Sequence, residues 1–133
     1  QSKNWDVSQG PQIQIHGNAT RAECVHWFSK SFALLHPNQR FREPFGLAPV
    51  ESMLCECPVI AWDNGAMRET VKDGVTGRLV TSPDELISAI NQSATEANEW
   101  RKNCRQWALQ FSVDNMINRY EELCKEAIET GGW

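Results

Sequence analysis

In the stretch "FREPFGLAPVE", Glu43 and Glu51 stand eight positions apart, the first just before the turn Pro44, Phe45, Gly46 and the second inside the apolar run that follows. Carboxylates accept hydrogen bonds from hydroxyls, and such charge-assisted bonds are about twice as strong as neutral ones. A glycine at a helix start lets the backbone approach a ligand closely. The free N–H groups of the first turn and the positive end of the helix dipole favour an anion there. An anion site flanked by two hydroxyl acceptors suits a ligand that joins phosphates to polyols, such as a sugar nucleotide.

The elements needed to hold that constellation can be read along the chain. "QIQIHGN" (12–18) alternates polar and apolar residues and stops at Gly17, which predicts a short strand and a turn. Asn18, Thr20 and Glu23 supply start signals for a helix over "TRAECVHWFSKS", with Ala22, Val25 and Phe28 or Trp27 at helical spacing. "FALLHP" predicts a strand, "NQRFREPFG" a loop, "GLAPVESMLC" a helix and "CPVIAW" a strand buried on both faces. "DNGAMRETVKDGVTGRLV" predicts a turn, a short helix ending near Asp73 and Gly74, and a brief strand.

Ser82, Pro83 and Glu85 predict a capping box with proline at the first helical position. Beyond it, Trp100, Cys104, Trp107 and Phe111 fall on one stripe, and Val113, Met116, Tyr120, Leu123 and Ala127 on a second, so both segments are expected to dock as helices. Trp27, Trp100 and Trp107 are expected in the core. Alternating strands and helices argue for an α/β fold with a parallel, Rossmann-like sheet and flanking helices. Ligands of such sheets bind at the carboxyl ends of the strands, which is where the loop before Glu43 emerges.

The totals narrow the function. A chain of 133 residues is expected to form a single domain, 1–133, with an α/β core over about 12–112 and a C-terminal helix over 113–131. With 13 basic and 17 acidic residues, net charge −4 and no Lys/Arg run, nucleic acid is not an expected partner. No segment is long and apolar enough to span a bilayer. Five scattered cysteines (Cys24, Cys55, Cys57, Cys104, Cys124) suit reduced thiols and a cytoplasmic setting, and the spacing of Cys55 and Cys57 does not fit a zinc site. "NAT" at Asn18 and "NQS" at Asn91 match the N-glycosylation pattern, which means little in such a setting.

"EPFGLAPVE" resembles the acid, seven residues, acid motif of the retaining nucleotide-sugar glycosyltransferases of the GT-B fold, the glycosyl transferases group 1. The similarity continues through "ESMLCECPVIAWDNGAMRETVKDGVTGRLV" and reaches "FSVDNMINRYEEL", about 110 residues from "IQIHG" onward. The resemblance implies the C-terminal, donor-binding domain of a GT-B fold, truncated at its N-terminal side. It implies transfer of a glycosyl group from a nucleotide-sugar to an acceptor hydroxyl with retention, without metal or cofactor. Glu43 would be the catalytic residue and bind hydroxyls of the donor sugar. The backbone of Phe45, Gly46 and Leu47 would lie against sugar and phosphate, Glu51 would bind the ribose, and Gly17 and Asn18 would sit near the base.

Some features depart from the family pattern. The strand, helix, strand unit that carries the family's diphosphate-binding Arg and Lys is not matched, and neither is the acceptor-holding N-terminal domain. Arg40, Arg42 and Arg68 are near the site in sequence, without a clear place on it. The chain alone is therefore expected to be inactive, and the alternative is a non-catalytic sugar-nucleotide-binding or interaction module. Glu56 stands where the family often has Gly, at a cost of about 1 kcal/mol if its φ is positive. His16, His26 and His36 are read as hydrogen-bonded side chains rather than general bases, with His16 able to touch a ligand. A sheet lacking its first strands would expose an edge, from which a homodimer or pairing with a missing N-terminal portion is expected; the acceptor is left open.

Overall fold

A computed structural model describes residues 16–132. Helix α1 (Arg21–Lys30) leads into strand β1 (Leu34–His36), followed by α2 (Leu47–Leu54), β2 (Val59–Trp62), α3 (Met67–Thr70) and β3 (Gly77–Val80). A long helix α4 (Pro83–Ala108), a 3-10 turn (Leu109–Phe111) and helix α5 (Val113–Thr130) complete the chain. The three strands form one parallel sheet in the order β1-β2-β3, with Leu34 opposite Val59 and Val59 opposite Gly77. The expected α/β architecture, a parallel sheet with flanking helices, is present.

β2 is buried along its whole length, as its unbroken apolar run predicts. Val59 and Ala61 face one core with Val50, Met53, Met67, Val71, Cys104 and Ala108, while Ile60 and Trp62 face the other with Val80 and Ala89. This is the period of two expected of a strand. The start of α4 packs on the second core through Leu86 and Ala89, and its end on the first through Cys104 and Ala108.

Between those ends α4 runs past the residues that precede each strand. Arg101 donates to the carbonyls of Ser31 and Glu56, Asn103 to that of Val75 and the Cys104 thiol to that of Thr76. These bonds close the amino edge of the sheet. The carboxyl edge, where the loops after β1 and β2 emerge, is left for a ligand.

The Trp100, Cys104, Trp107, Phe111 stripe is inside as expected: Trp100 is 2% exposed, and Trp107 and Phe111 pack against the first core. Trp107 Nε1 also donates to the Thr70 carbonyl, 2.9 Å away, which satisfies the last turn of α3.

Other expectations need correcting. Of the short strand and turn expected over 12–18, residues 12–15 lie outside the described residues; His16 is exposed and not in a strand, and Gly17 and Asn18 are exposed and irregular, as the expected turn allows. Trp27 is not core. It is 42% exposed, with its ring against His16 and His26, because the half-buried face of α1 carries Cys24 and Phe28 instead of Ala22 and Val25. α3 ends at Thr70, earlier than Asp73, since Val71 is extended and returns the chain towards β3.

Ser82 Oγ accepts from the Glu85 N–H, but the Glu85 carboxylate binds the N–H and hydroxyl of Thr81 rather than closing the box on Ser82. Those bonds hold the Glu85 carboxyl below its ordinary range. A complete capping box occurs on α1 instead, between Thr20 and Glu23. The α5 stripe does not dock: no residue of α5 is buried.

Candidate functional site

β1 ends at His36 and delivers the chain to a loop on the carboxyl edge. Asn38 Oδ1 accepts from the Phe41 N–H, and the Phe41 carbonyl accepts from Asn64 Nδ2 at 3.3 Å. Two residues on, the Glu43 carbonyl accepts from the Ala66 N–H at 2.9 Å. The β2–α3 loop thus clamps the Glu43 loop. Gly65, at φ +57, permits the close approach, since a Cβ there would lie 2.6 Å from the Glu43 carbonyl oxygen and 2.8 Å from its nitrogen.

Held in this way, the half-buried Glu43 carboxylate points towards His36, with Oε2 4.0 Å from Nε2. His36 Nε2 is itself buried and has no hydrogen-bond partner among the described residues. A buried polar atom without a partner is uncommon in folded proteins.

Gly46 is the N-cap of α2, at φ +88, and a Cβ in its place would overlap Met67 Cε. No side chain caps the helix. With Pro49 lacking an N–H, the amides of Leu47 and Ala48 are the donors this end presents, and both residues are exposed. The Phe45 ring is turned away from the start of α2 onto Phe111, at 5.7 Å between centroids and nearly perpendicular.

Glu51 lies in the second turn of α2 and faces α1. Its Oε1 pairs with Arg21 Nη1 at 2.9 Å, beside a cavity of about 230 Å³ between α1 and α2 that Cys24, Phe28 and Leu54 also line. This ion pair ties α2 to the end of α1 that the exposed residues Gly17 and Asn18 lead into.

Of the arginines near the site in sequence, Arg68 is engaged by Asp63 at 2.6 Å, which raises the guanidinium pKa further, while Arg40 and Arg42 are exposed on the loop. Among the described residues no group of three or more His, Cys, Asp or Glu side chains could hold a metal ion, and no helix is long and apolar enough to cross a membrane.

Sequence reasoning read "DNGA" only as a turn and missed that Asn64, Gly65 and Ala66 hold the Glu43 loop. The turn residues at the carboxyl end of β2 were the available signal, because parallel strands bring their following loops to one edge. Arg21 was missed too, having no local pattern that joins it to Glu51.

The family model for "Glycosyl transferases group 1" matches residues 3–110. The chain belongs to this family. Among group 1 relatives, it is 28% identical over 131 residues to D-inositol 3-phosphate glycosyltransferase 1 of Catenulispora acidiphila, covering 95% of this chain and 31% of that protein. It is 34% identical over 101 residues to alpha-1,3/1,6-mannosyltransferase ALG2 of Yarrowia lipolytica, covering 68% of this chain and 22% of that one.

A similar solved structure is sucrose-phosphate synthase of Thermosynechococcus elongatus, with TM-score 0.59 and 26% identity over 72% of this chain and 26% of that one. The chain therefore spans about a third or less of the length of these glycosyltransferases, and the parallel α/β domain is the one their GT-B fold leads one to expect.

Proposed function

We propose that the chain is the donor-binding part of a retaining glycosyltransferase that moves a glycosyl group from a nucleotide-sugar to an acceptor hydroxyl. The observation that carries this reading is the open, uncapped start of α2 on the carboxyl edge, with Glu43 held at its entrance and Glu51 one turn and a half inside. The Leu47 and Ala48 amides and the positive end of α2 receive a diphosphate oxygen. Glu43 accepts from hydroxyls of the sugar, Glu51 from the ribose, and Gly17 and Asn18 lie towards the base.

In the transfer, the bond between the anomeric carbon and the diphosphate breaks, the nucleoside diphosphate leaves, and the acceptor oxygen gains the glycosyl group and loses its proton. Charge grows on the departing diphosphate, and donors fixed in advance around it lower the barrier. Two amides and about half a unit of dipole charge are too little for a diphosphate, so the chain by itself binds donor without turning it over. The reading requires no metal or cofactor. The odd number of scattered cysteines is what supports a reducing, cytoplasmic setting.

Titration of the chain with UDP, GDP and ADP tests the reading. One of the three should bind, and Glu51→Ala should weaken it by about tenfold or more, the worth of one charge-assisted hydrogen bond. Binding of none of them, or binding indifferent to Glu51→Ala, rejects the donor site. In a longer protein carrying this segment, loss of turnover on Glu43→Ala separates an enzyme from a binding module.

A further inference from the structure

The turn between β2 and α3 holds the Glu43 loop, through Asn64 Nδ2 on the Phe41 carbonyl and the Ala66 N–H on that of Glu43. Its central pair, Asn64 followed by Gly65, is also chemically labile. The nitrogen of the residue after an asparagine can close a five-membered ring on the side-chain amide carbon, and glycine, lacking a Cβ, leaves that approach unhindered. No other asparagine of the chain is followed by glycine.

The fold leaves the reacting atoms free. The Gly65 N–H donates to no group among the described residues, whereas its neighbours are engaged, Asn64 N–H with the Trp62 carbonyl at 2.8 Å and Ala66 N–H with that of Glu43 at 2.9 Å. Among the same residues the Asn64 side chain makes one hydrogen bond, and at 3.3 Å it lies just beyond the usual range, a weak restraint. Asn64 and Gly65 are both half-buried, so water reaches the turn.

We propose that Asn64 is a site of spontaneous deamidation and that its conversion opens the clamp on the Glu43 loop. The Gly65 nitrogen gives up its proton and bonds to Asn64 Cγ, the bond from Cγ to Nδ2 breaks, and ammonia leaves with the proton, giving a cyclic imide. Water then adds to one of the two imide carbonyls. Opening at Cγ leaves aspartate on an unchanged backbone, whereas opening at the main-chain carbonyl leaves isoaspartate, whose backbone runs through Cβ and Cγ. No oxidant or enzyme is needed, and each event adds one negative charge to a net −4.

Both products undo the clamp. A carboxylate in place of the amide sets an acceptor against the Phe41 carbonyl, where a donor stood. Isoaspartate also lengthens the main chain by one carbon beside Gly65, where even a Cβ would lie 2.6 Å from the Glu43 carbonyl oxygen and 2.8 Å from its nitrogen. The Ala66 bond to Glu43 is then lost along with the Phe41 bond. Neither step depends on what the Glu43 loop binds.

Incubation of the 133-residue chain at mildly alkaline pH, followed by peptide mass spectrometry, tests this, with the free peptide WDNGAM as a clock. Acid should form at Asn64 ahead of every other asparagine, and enzymatic methylation of isoaspartate should label the same peptide. Asn64→Gln, which keeps an amide but closes only a larger ring, should lose the charge gain seen by ion exchange. Amide hydrogen exchange over residues 38–44 should quicken several-fold in the converted chain and in Asn64→Asp, with exchange in β2 unchanged. An Asn64 that remains an amide once the free peptide has converted overturns the proposal, as does an equal charge gain in Asn64→Gln. Conversion that leaves exchange over 38–44 unchanged, or that quickens it throughout the domain, overturns the opening of the clamp.

Discussion

Arg21 Nη1 lies 2.9 Å from Glu51 Oε1 and joins the first turn of α1 to the second turn of α2, thirty residues further on. With Arg21 81% and Glu51 36% exposed, solvent screens the pair, and a double-mutant cycle on Arg21→Ala and Glu51→Ala should give a coupling of about 0.2–1 kcal/mol in denaturant unfolding. A carboxylate offers about four acceptor positions, so Arg21 leaves room on Glu51 for ribose hydroxyls. Arg21→Ala should accordingly change nucleotide affinity by no more than a few-fold, in contrast to Glu51→Ala. A loss as large as that of Glu51→Ala would make Arg21 itself a binding residue.

Gly46 joins the donor loop to the core. Its φ of +88 disfavours a side chain, and a Cβ there would overlap Met67 Cε, which belongs to the first core. Gly46→Ala should destabilise by about 1–3 kcal/mol, combining left-handed strain with overpacking. Adding Met67→Ala removes the overlap but opens a cavity, so the double variant should be less destabilised than the sum of the two single changes. Strict additivity in thermal or denaturant melts would show that the overlap contributes nothing.

These two sites also show what could and could not be read from the sequence. The burial of β2, the Ser82 cap of α4 and the Trp100–Cys104 stripe follow from local patterns, because periodicity and capping are settled within a few residues. The clamp of Asn64, Gly65 and Ala66 on the Glu43 loop joins segments more than twenty residues apart and depends on how parallel strands align their loops. Trp27 was expected in the core and the α5 stripe to dock because periodicity identifies an apolar face and is silent on what covers it. The choice of Glu85 for Thr81 over Ser82 rests on rotamer geometry that composition cannot carry.

Glu56 is the one non-glycine residue with positive φ among those described, at +61. It sits just past the end of α2, where its N–H donates to the Met53 carbonyl and that of Cys57 to Ser52, the bonding of a helix end that ordinarily places glycine at this position. Strain of about 1 kcal/mol is retained there, since the turn and the Arg101 bond to the Glu56 carbonyl hold the backbone in place. Glu56→Gly should therefore stabilise the chain by about 0.5–1 kcal/mol, a gain that Glu56→Ala, which keeps the Cβ, should not give. Equal melting temperatures for the two variants would contradict the strain argument.

Burial pushes the Cys57 thiol up to about 11 and, with the neighbouring Cys57 adding to the effect, the Cys104 thiol up to about 12, both from an ordinary 9.0. Each donates from sulfur to a carbonyl, Cys57 to Pro58 and Cys104 to Thr76, bonds that the thiolate cannot make. The folded state binds these protons more tightly than the unfolded state, so their contribution to stability is complete below about pH 9 and is lost as pH rises through the folded values. Denaturant midpoints should fall between about pH 9 and pH 11. A Cys57→Ala/Cys104→Ala variant, less stable at neutral pH, should show a shallower fall over the same range. At neutral pH an alkylating reagent should modify Cys24, Cys55 and Cys124 and spare Cys57 and Cys104 until the chain unfolds, counted by mass spectrometry. Rapid labelling of Cys57 or Cys104 in the folded chain would place these thiols outside the core that joins β2 to α4.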